Sequence, residues 1–457
     1  MELLNKKVAI LGLGDENIAL INYISKQGAK ITICDSKNKE EIKIYSDKLS
    51  NLQLEYRLGE NYLEDLRDFN IIFRTPGLHF LKPQIQEAIK AGIEVSSQTK
   101  LFFNLCPCKI IGITGTKGKG TTSTLIYEIL KYDNQNKKDR KVYLAGNIGR
   151  APIDFIDELD KNDLVVLELS SFQLQDLDQS PHISVVLDIK VDHLDVHKNR
   201  EEYIEAKENI VSHQKKNDFA VINADYETSL DFASFTSAEV FYFSRKSELK
   251  KGVWVKNKES IVLTNGQEEV ELVKTNEITL RGEHNWENIC GAATACYLAG
   301  ASIENINKIV KEFHGLEHRL EFVKENNGIK FYNDSFSTTP DTAIAAINAF
   351  HEPILLIAGG SEKGADYEQL GKEIDNSSVK TAILIGVTGP RIKSEIRNSN
   401  IEVISDCRNL EEVIETIGKK AEFGDVVLLS PASASFDWFK NYKDRGKQFK
   451  EAILQKF

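Results

Sequence analysis

One stretch of the chain has the residue types and spacing of a phosphate-binding loop. Residues 112–122 read GITGTKGKGTT, in which Gly115, Gly118 and Gly120 surround Lys119. An apolar strand pattern precedes this stretch and a helical apolar pattern follows it. Glycines let the backbone approach an anion closely, while N–H groups, the helix dipole and the lysine supply positive charge. The pattern predicts ATP binding, and therefore an enzyme or a nucleotide switch.

The match to the general pattern G-x-x-x-x-G-K-[ST] is incomplete. Ile113 stands where the first glycine is expected, and Gly120 stands where a magnesium-binding hydroxyl is expected. Thr121 and Thr122 come one and two positions late. A glycine-rich turn between a strand and a helix, without any ligand, is the alternative interpretation.

A carboxylate and several amide or hydroxyl groups follow a second apolar strand. Residues 164–174 read LVVLELSSFQL, so the strand ends at Glu168, and Ser170 and Gln173 lie just beyond. A carboxylate at the end of a strand, downstream of a phosphate loop, is placed to hold Mg²⁺. The alternative is a glutamate on an edge strand that faces water.

Residues 188–197, DIKVDHLDVH, contain a dense set of potential metal ligands that includes Asp192 and His193. Magnesium prefers oxygen ligands to imidazole. The spacing alone therefore favours a polar loop over a metal site.

One lysine falls on the apolar face of a predicted helix. In residues 201–210, EEYIEAKENI, Lys207 lies three or four positions from Tyr203, Ile204 and Ile210. A lysine in an apolar site has a lowered pKa, and its neutral amine can take up CO₂ as a carbamate. The alternative is a side chain whose stem packs on the apolar surface while its ammonium reaches water.

Bulk composition limits the classes of protein to which the chain can belong. A length of 457 residues predicts two to four domains, and 41% hydrophobic with 28% charged residues is typical of soluble globular proteins. The net charge of −11 argues against nucleic-acid binding. With no apolar run long enough to span a membrane and no signal peptide, we expect a cytoplasmic protein without a membrane partner. Cys106 and Cys108 form a lone C-x-C, which is a weak metal signal.

Elements predicted along the chain place these residues in an α/β protein. Residues 6–36 read as a strand, a turn with Gly12 and Gly14, a helix and a second strand that ends at Asp35. This is the beginning of a dinucleotide fingerprint, but Asn17 replaces its third glycine. A further strand leads into residues 74–77, RTPG.

Later segments repeat the alternation of strands and helices, and they predict parallel sheets. Residues 250–275 read as hairpin strands around an Asn265-Gly266 turn. In the helical residues 282–300, Asn285 and Asn288 lie near the first turn, where they could meet a nucleotide; N-capping is the alternative for Asn285. From about residue 316, three strands are followed by polar residues, at the sheet edge where α/β proteins bind ligands.

Taken together, the motifs resemble the Mur ligase family, and most closely its MurD type. The motifs in family order are GNIG (Gly146 to Gly149), LELSSFQL, GEHNWEN, HGLEHR and LLSPASASFDWFKNYKDRG. The resemblance implies three mostly parallel α/β domains: a Rossmann-like UDP-binding domain (1–99), a P-loop ATPase domain (100–315) and a Rossmann-like amino-acid-binding domain (316–457). It implies that ATP, with Mg²⁺ (two ions are expected), activates the carboxylate of UDP-N-acetylmuramoyl-L-alanine as an acyl phosphate, which the amine of glutamate attacks. A monomer with small-molecule partners is expected.

The resemblance also assigns roles to residues, motif by motif. Catalytic positions are Lys119, Glu168, His193 and Lys207. ATP-binding positions are Gly115, Thr116, Lys117, Gly118, Lys119, Gly120, Thr121, Asn285, Asn288, Arg319 and Asp334. Positions for the UDP-sugar substrate are Gly14, Asp35, Ser36, Gly77, Asn147, Ser170 and Gln173. Amino-acid positions are Thr338, Lys363, Ser435 and Tyr442, and metal positions are Glu168, His193, Thr121 and Lys207 as its carbamate.

Three positions depart from the family pattern. Gly120 removes a hydroxyl, so that a magnesium contact would come from Thr121, Glu168 or water. Tyr442 replaces the usual phenylalanine. Phe336, in NDSFSTT, replaces a lysine, and a charge-assisted bond to a carboxylate is worth about 1.5–3 kcal/mol. D-glutamate is the expected amino acid, with L-glutamate or another amino acid as the alternative.

Other interpretations remain open from the sequence. One is a different family member, such as a folate polyglutamate or peptide-recycling ligase, although the Gly12–Gly14 turn with Asp35 favours a UDP site. Another is an NAD(P)-dependent oxidoreductase built on the first βαβ unit, which would leave the motifs after residue 100 without a role. A nucleotide-binding scaffold without catalysis is a third, suggested by Gly120.

Overall fold

A computed structural model describes residues 3–135, 140–147, 149–190, 198–266, 268–362 and 364–457. Three sheets with helices between their strands confirm the predicted α/β fold. The chain forms two compact units, one of residues 1–277 and 286–310 and the other of residues 278–285 and 311–457. The first unit contains two of the sheets. Among the described residues, no helix has the length and apolar character that crossing a membrane requires.

The first sheet has five parallel strands in the order β3-β2-β1-β4-β5. Its strands are β1 (Lys7–Leu11), β2 (Lys30–Asp35), β3 (Leu54–Leu58), β4 (Ile71–Arg74) and β5 (Glu94–Ser97). The helices of this region are α1 (Asp15–Lys26), α2 (Lys43–Ser46), α3 (Pro83–Lys90) and α4 (Gln98–Leu105). The order reverses beside β1, where β2 and β4 leave on opposite sides, and such a switch point opens a crevice at the carboxyl ends of the strands.

Asn17 occupies the position of the third glycine of the fingerprint in the first βαβ unit, and its side chain has a structural role there. Its side chain is buried, and its Nδ2 donates to the Gly12 carbonyl at 2.7 Å. Gly12 has φ +92°, a conformation that favours glycine. The amide of Asn17 therefore fastens the first turn of α1 to the end of β1.

The second sheet has nine strands in the order β14-β13-β12-β11-β10-β9-β6-β8-β7. Its strands are β6 (Lys109–Thr114), β7 (Val142–Gly146), β8 (Leu164–Glu168), β9 (Ile183–Val186), β10 (Phe219–Asn223), β11 (Glu239–Ser244), β12 (Lys251–Lys256), β13 (Ser260–Asn265) and β14 (Glu269–Lys274). Its helices are α5 (Lys119–Asp133), α6 (Ser171–Leu174), α7 (Arg200–Ser212), α8 (Glu227–Leu230), α9 (Glu283–Leu298) and α10 (Ile303–Glu312). The antiparallel strands β12 to β14 confirm the predicted hairpin strands.

In this sheet β6 lies between β8 and β9 and runs parallel to both. The three strands are apolar and buried, as expected for parallel strands covered on both faces. Their carboxyl ends therefore meet at one edge, with the residues after Thr114, Glu168 and Val186 side by side.

The third sheet has the order β15-β16-β20-β17-β18-β19 and lies in the second unit. Its strands are β15 (Glu321–Asn326), β16 (Ile329–Asn333), β17 (Ile354–Gly359), β18 (Val379–Ile385), β19 (Glu402–Ile404) and β20 (Val426–Leu429). Its helices are α11 (Pro340–Ile347), α12 (Glu368–Asn376), α13 (Gly389–Glu395), α14 (Leu410–Lys420) and α15 (Tyr442–Lys456). All pairs are parallel except β15 with β16.

Candidate active site

The predicted phosphate loop connects β6 to α5, as a nucleotide site requires. Gly118 precedes the first residue of α5 and has φ +85°. A Cβ atom on Gly118 would lie 2.2 Å from Asn288 Oδ1, so only glycine fits here without displacing that side chain. Lys119 Nζ donates to the carbonyls of Gly115 at 2.8 Å and Thr116 at 3.1 Å. The lysine thus lies over its own loop, where the charge of a phosphate would be met.

Thr116 anchors the loop to neighbouring elements. Its backbone N–H donates to the Asp188 carbonyl at 2.7 Å, and its hydroxyl accepts from the Lys190 N–H at 2.8 Å. The same hydroxyl lies 3.1 Å from the hydroxyl of Tyr203 on α7. These bonds hold the loop against the segment after β9 and against α7, so its conformation is fixed from both sides.

Lys207 is buried beside the start of the same loop. Its side chain is 2% exposed, and its Nζ donates to Thr114 Oγ1 and to the Gly115 carbonyl, both at 3.2 Å. The ammonium also lies 4.9 Å from the centre of the Tyr203 ring. The interpretation in which the ammonium reaches water is therefore wrong. Lys207 therefore places its amine next to the phosphate loop.

Glu168 ends β8 as predicted, and it is buried rather than facing water. It pairs in register with Ile113 of β6, one residue from the end of that strand. On its other side, Asn147 N–H donates to the Glu168 carbonyl at 3.1 Å. Gly146 has φ +103°, and a Cβ there would lie 2.2 Å from that carbonyl. The close turn at Gly146 is therefore what brings Asn147 to the end of β8.

The oxygen ligands near the loop fit magnesium by their chemistry. Glu168 is a buried carboxylate, and Thr121 is a half-buried hydroxyl on the first turn of α5. Asp188, two residues after β9, is also buried, and its Oδ1 accepts no hydrogen bond from any described residue. Hard oxygen donors of this kind suit Mg²⁺. In the described ranges, no group of three or more His, Cys, Asp or Glu side chains converges as a metal site.

Asn285 and Asn288 are both buried, although α9 begins at Glu283. Asn285 therefore lies inside the first turn, and its Nδ2 donates to the Arg281 carbonyl at 2.6 Å. The N-capping interpretation of Asn285 is wrong for this reason. Asn288 Oδ1 accepts from Thr122 Oγ1 at 3.5 Å and lies beside Gly118.

A cavity of about 380 Å³ opens at the switch point of the first sheet, beside β1. Its lining includes four residues predicted for the UDP-sugar substrate, Gly14, Asp35, Ser36 and Gly77. The Asp35 carboxylate accepts from the backbone N–H groups of Leu13 at 2.7 Å and Lys37 at 2.9 Å. Asp35 thus ties the turn after β1 to the turn after β2, and the two turns form adjacent walls of the cavity.

Ser170 and Gln173 form a capping box at the start of α6. Gln173 N–H donates to Ser170 Oγ at 3.3 Å, and Gln173 Oε1 accepts from the Ser170 N–H at 3.0 Å. This pairing explains both residue types by helix capping. Their predicted contact with the substrate remains a prediction.

In the second unit, an aromatic and charged group gathers after β16. The Arg319 guanidinium lies 4.0 Å from the centre of the Phe336 ring, and Phe336 meets Tyr442 edge to face at 5.0 Å. Asp334 follows β16, accepts from Ser430 Oγ at 2.7 Å and from the Leu320 N–H at 3.1 Å, and is buried. Burial raises the pKa of Asp334 to about 6, against the lowering effect of its hydrogen bonds and of Arg319.

Arg445 holds the predicted amino-acid loops together. The side chain is 1% exposed, and its Nε and Nη2 donate to Ser335 Oγ and the Ser335 carbonyl, both at 2.9 Å. Its Nη1 donates to the carbonyls of Ser433 at 3.1 Å and Ala434 at 3.2 Å. These bonds fix the segment before Ser435, which is buried, and the turn before the half-buried Thr338.

Two predicted site residues, His193 and Lys363, lie outside the described residues. Three residues that sequence reasoning missed are Arg74, Asp188 and Arg445. The sequence indicated Arg74 only by its position at the end of a strand. Asp188 stood in a run of polar residues and Arg445 in the last motif, and neither was assigned a role. Each was recognisable as a residue type, but its burial depends on contacts from distant parts of the chain.

Comparison with known proteins places the chain in a family. A model of the MurD-like N-terminal domain of Mur ligases matches residues 6–97. A model of the Mur ligase middle domain matches residues 113–296, and one of the Mur ligase glutamate ligase domain matches residues 318–433. The chain belongs to the Mur ligase family. The resemblance seen in the sequence is thereby confirmed, and the MurD-like N-terminal match disfavours a folate ligase.

Curated relatives indicate which type of Mur ligase the chain resembles. This Mur ligase is 43% identical to a UDP-N-acetylmuramoylalanine--D-glutamate ligase of Acetivibrio thermocellus, with 98% of this chain and 96% of the relative covered. It is 40% identical to the enzyme of the same name from Clostridium tetani, with the same coverage. Among solved structures, UDP-N-acetylmuramate-alanine ligase from Thermotoga maritima has 18% identity and a TM-score of 0.58, covering 99% of this chain and all of that one. MurF from Acinetobacter baumannii has 15% identity and a TM-score of 0.59, covering 98% and 90%. These structures show the shared fold.

Proposed function

We propose that this Mur ligase couples D-glutamate to UDP-N-acetylmuramoyl-L-alanine, with ATP, in the cytoplasmic synthesis of peptidoglycan precursors. The observation that carries this function is the 43% identity, over nearly the full length, to a relative named for that reaction. The three matched domains and the phosphate loop agree with an ATP-dependent ligase that forms an amide bond.

The chemistry requires two anions to approach each other. A carboxylate oxygen of the muramoyl-alanine substrate attacks the γ-phosphorus of ATP, and ADP leaves. The amino nitrogen of glutamate, after losing a proton, attacks the acyl carbon, and inorganic phosphate leaves as the amide forms. Lys119 and the N–H groups of residues 115–118 neutralise the phosphates during the first step.

We assign magnesium to Glu168, Thr121, His193 and the carbamate of Lys207, two ions being expected. Bound there, magnesium would neutralise phosphate charge and orient the phosphoryl group. The burial of Glu168 and Lys207 beside the loop supports their part of this assignment. The nearby carboxylate of Asp188 adds a further oxygen of the kind that magnesium binds.

We assign ATP contacts to residues 115–121 together with Asn285, Asn288, Arg319 and Asp334. The UDP moiety is assigned to Gly14, Asp35, Ser36 and Gly77, because these residues line one cavity. The remainder of that substrate is assigned to Asn147, Ser170 and Gln173.

The amino acid is assigned to Thr338, Lys363, Ser435 and Tyr442. Phe336 replaces a family lysine, yet its ring carries the Arg319 guanidinium on its face. A cation, which is assigned to ATP, therefore lies against the residue that replaces the lysine.

The test measures phosphate release from ATP and Mg²⁺ with UDP-N-acetylmuramoyl-L-alanine and either D- or L-glutamate. We expect release with D-glutamate and little with L-glutamate, and none with either from Lys119→Ala. Release that prefers L-glutamate would overturn the stereochemical assignment, and no release with either would remove the function. Size-exclusion chromatography with light scattering tests the expected monomer.

A further inference from the structure

Arg74 is buried where the first sheet meets the second. The last residue of β4, it has no solvent exposure, and its Nη1 donates to the carbonyl of Leu78 at 2.8 Å, with longer bonds to the Thr75 and Pro76 carbonyls. Its Nη2 donates to Asp176 Oδ1 at 2.8 Å and to the Phe172 carbonyl at 3.1 Å. One guanidinium thus binds two segments that lie about a hundred residues apart in the chain.

The two segments have different parts in the proposed reaction. Residues 75–78 include Thr75, Gly77 and Leu78, which line the cavity assigned to UDP. Phe172 lies in α6, between the two capping-box residues, and Asp176 follows that helix by two residues. Arg74 therefore connects the wall of the nucleotide cavity to the helix assigned to the sugar-peptide end of the same substrate.

Two further contacts join the same parts of the molecule. Gln173 forms a side-chain hydrogen bond with Glu16, on the first turn of α1, and burial raises the pKa of that carboxyl. His79 Nε2 lies 3.1 Å from Glu202 Oε1, on the first turn of α7. The helix α7 also carries Lys207, so the cavity wall is linked to both helices beside the phosphate loop.

We propose that Arg74, paired with Asp176, is a positioning residue that sets the span between the nucleotide cavity and α6. The role rests on the proposed function, because it concerns how one substrate reaches from its UDP group to its reactive carboxylate. A guanidinium suits this task because its planar fork binds several acceptors at once in fixed directions. Four of its five acceptors are backbone carbonyls, so the bonds fix the path of the chain itself.

The competing explanation is that this ion pair only stabilises the fold. Removing both charges together distinguishes a positioning role from a structural one. A buried ion pair can often be replaced by apolar side chains with little loss of stability, whereas removal of one partner leaves a buried charge. The double variant Arg74→Met/Asp176→Ala removes both charges and is therefore expected to fold, with a lowered thermal unfolding temperature because four backbone carbonyls lose their donor. It retains neither the tether to α6 nor the bonds to residues 75–78.

The experiment compares Asp176→Ala, the double variant and Arg74→Lys in the full-length enzyme. For all three, kcat/KM for UDP-N-acetylmuramoyl-L-alanine should fall about 10²-fold, as expected when a reacting group is misplaced by about 1 Å. The KM for ATP should stay within about twofold, because the phosphate loop is not altered. In Asp176→Ala the affinity for UDP alone should also stay within about twofold, since the bonds from Arg74 to the cavity wall remain.

A second ion pair provides the matched control. Lys100, on α4, lies 2.8 Å from Asp178, two residues beyond Asp176, and neither residue is among those that line the cavity. Asp178 is 56% exposed, so Lys100→Met and Asp178→Asn should leave both KM values and kcat unchanged. Thermal unfolding of every variant reports the structural contribution separately.

The proposal is overturned if folded Asp176→Ala and double variants retain the wild-type kcat/KM for the sugar substrate. Loss of ATP affinity in parallel with sugar-substrate affinity would equally overturn it, because that result indicates general damage. Arg74→Lys, which keeps the charge, decides the question if the other two fail to fold. Failure of the proposed function is distinct, since the wild-type enzyme itself would then release no phosphate.

Discussion

Replacing Gly118 with alanine tests the geometry of the phosphate loop most directly. The residue has φ +85°, in the left-handed region, and its Cβ would lie 2.2 Å from Asn288 Oδ1 and 3.3 Å from Leu187 Cδ1. The first observation predicts backbone strain, and the second predicts displacement of Asn288. The two effects can be separated because another glycine shares only the first of them.

The magnitudes can be worked out for each effect. A left-handed conformation costs an L-residue about 1–2 kcal/mol, of which about 0.4–1 kcal/mol is offset by the lower entropy of unfolded alanine. Asn288 must then leave its place, because a 2.2 Å contact is far inside van der Waals distance. Loss of one hydrogen bond from Asn288 to ATP would weaken binding by about 1.4 kcal/mol, which is about tenfold in KM.

Gly92→Ala is the matched control. Gly92 has φ +82°, but no atom lies within 4 Å of its Cβ position. Strain should cost both variants a similar amount of stability, about 0.5–1.5 kcal/mol, as measured by thermal unfolding. Displacement of Asn288 should add a further loss in Gly118→Ala alone. In a phosphate-release assay with varied ATP, only Gly118→Ala should raise the KM for ATP.

Equal KM values for ATP in Gly118→Ala and Gly92→Ala would contradict the displacement of Asn288 from the nucleotide site. A second variant, Gly118→Ala/Asn288→Ala, removes the atom that clashes. Its stability should recover relative to Gly118→Ala while its KM for ATP stays raised. Recovery of the KM as well would show that Asn288 has no part in nucleotide binding.

Three further predictions concern buried charged residues. Lys207→Ala should lower kcat by at least about 10²-fold, with partial recovery in added small carboxylates, and full activity would reduce this lysine to a packing role. Because burial raises the folded-state pKa of Asp334 to about 6, the native state keeps a proton that the unfolded chain releases, so the stabilisation present near pH 4 is lost as the pH rises to about 6. Denaturant unfolding should be measured between about pH 4 and about pH 6. Over this range the free energy of unfolding of the wild type should fall by up to about 3 kcal/mol more than that of Asp334→Asn. The same dependence on pH in both proteins would contradict this prediction. Arg445→Lys should cost about 2–5 kcal/mol of unfolding free energy, because backbone carbonyls lose their donors, whereas Arg408→Lys, in the exposed ion pair with Glu412, should leave the thermal unfolding unchanged.

Local pattern was enough to predict the elements that carry the site. The strand–loop–helix at Lys119, the strand end at Glu168 and the acid at Asp35 all follow from apolar runs bounded by turn residues, and the structure has each element where it was expected. The position of Lys207 on the apolar face of α7 also followed from helical periodicity. These features depend on residues within a few turns of each other, where sequence spacing determines geometry.

Contacts between segments that are distant in the chain could not be predicted from local sequence patterns. Arg74 and Asp176 are 102 residues apart, and Arg445 and Ser335 are 110 apart. Nothing in the local sequence of either arginine indicates a buried side chain, because charged residues are usually exposed. The capping box of Ser170 and Gln173, in contrast, follows a known S-x-x-Q signature and could have been predicted. For Asn285, the N-capping alternative placed the cap inside the helix, which was predicted from residue 282 and begins at Glu283.

Arg74 and Arg445 share a property that bears on the environments in which the enzyme can work. Both guanidinium groups are shielded from solvent and donate mainly to peptide oxygens. Mobile ions screen exposed charges strongly but shielded ones much less. Arg445 keeps its proton at neutral pH, since burial lowers its pKa only to about 10. The turns that these two residues hold should therefore keep their shape when the salt concentration or the acidity of the solution changes.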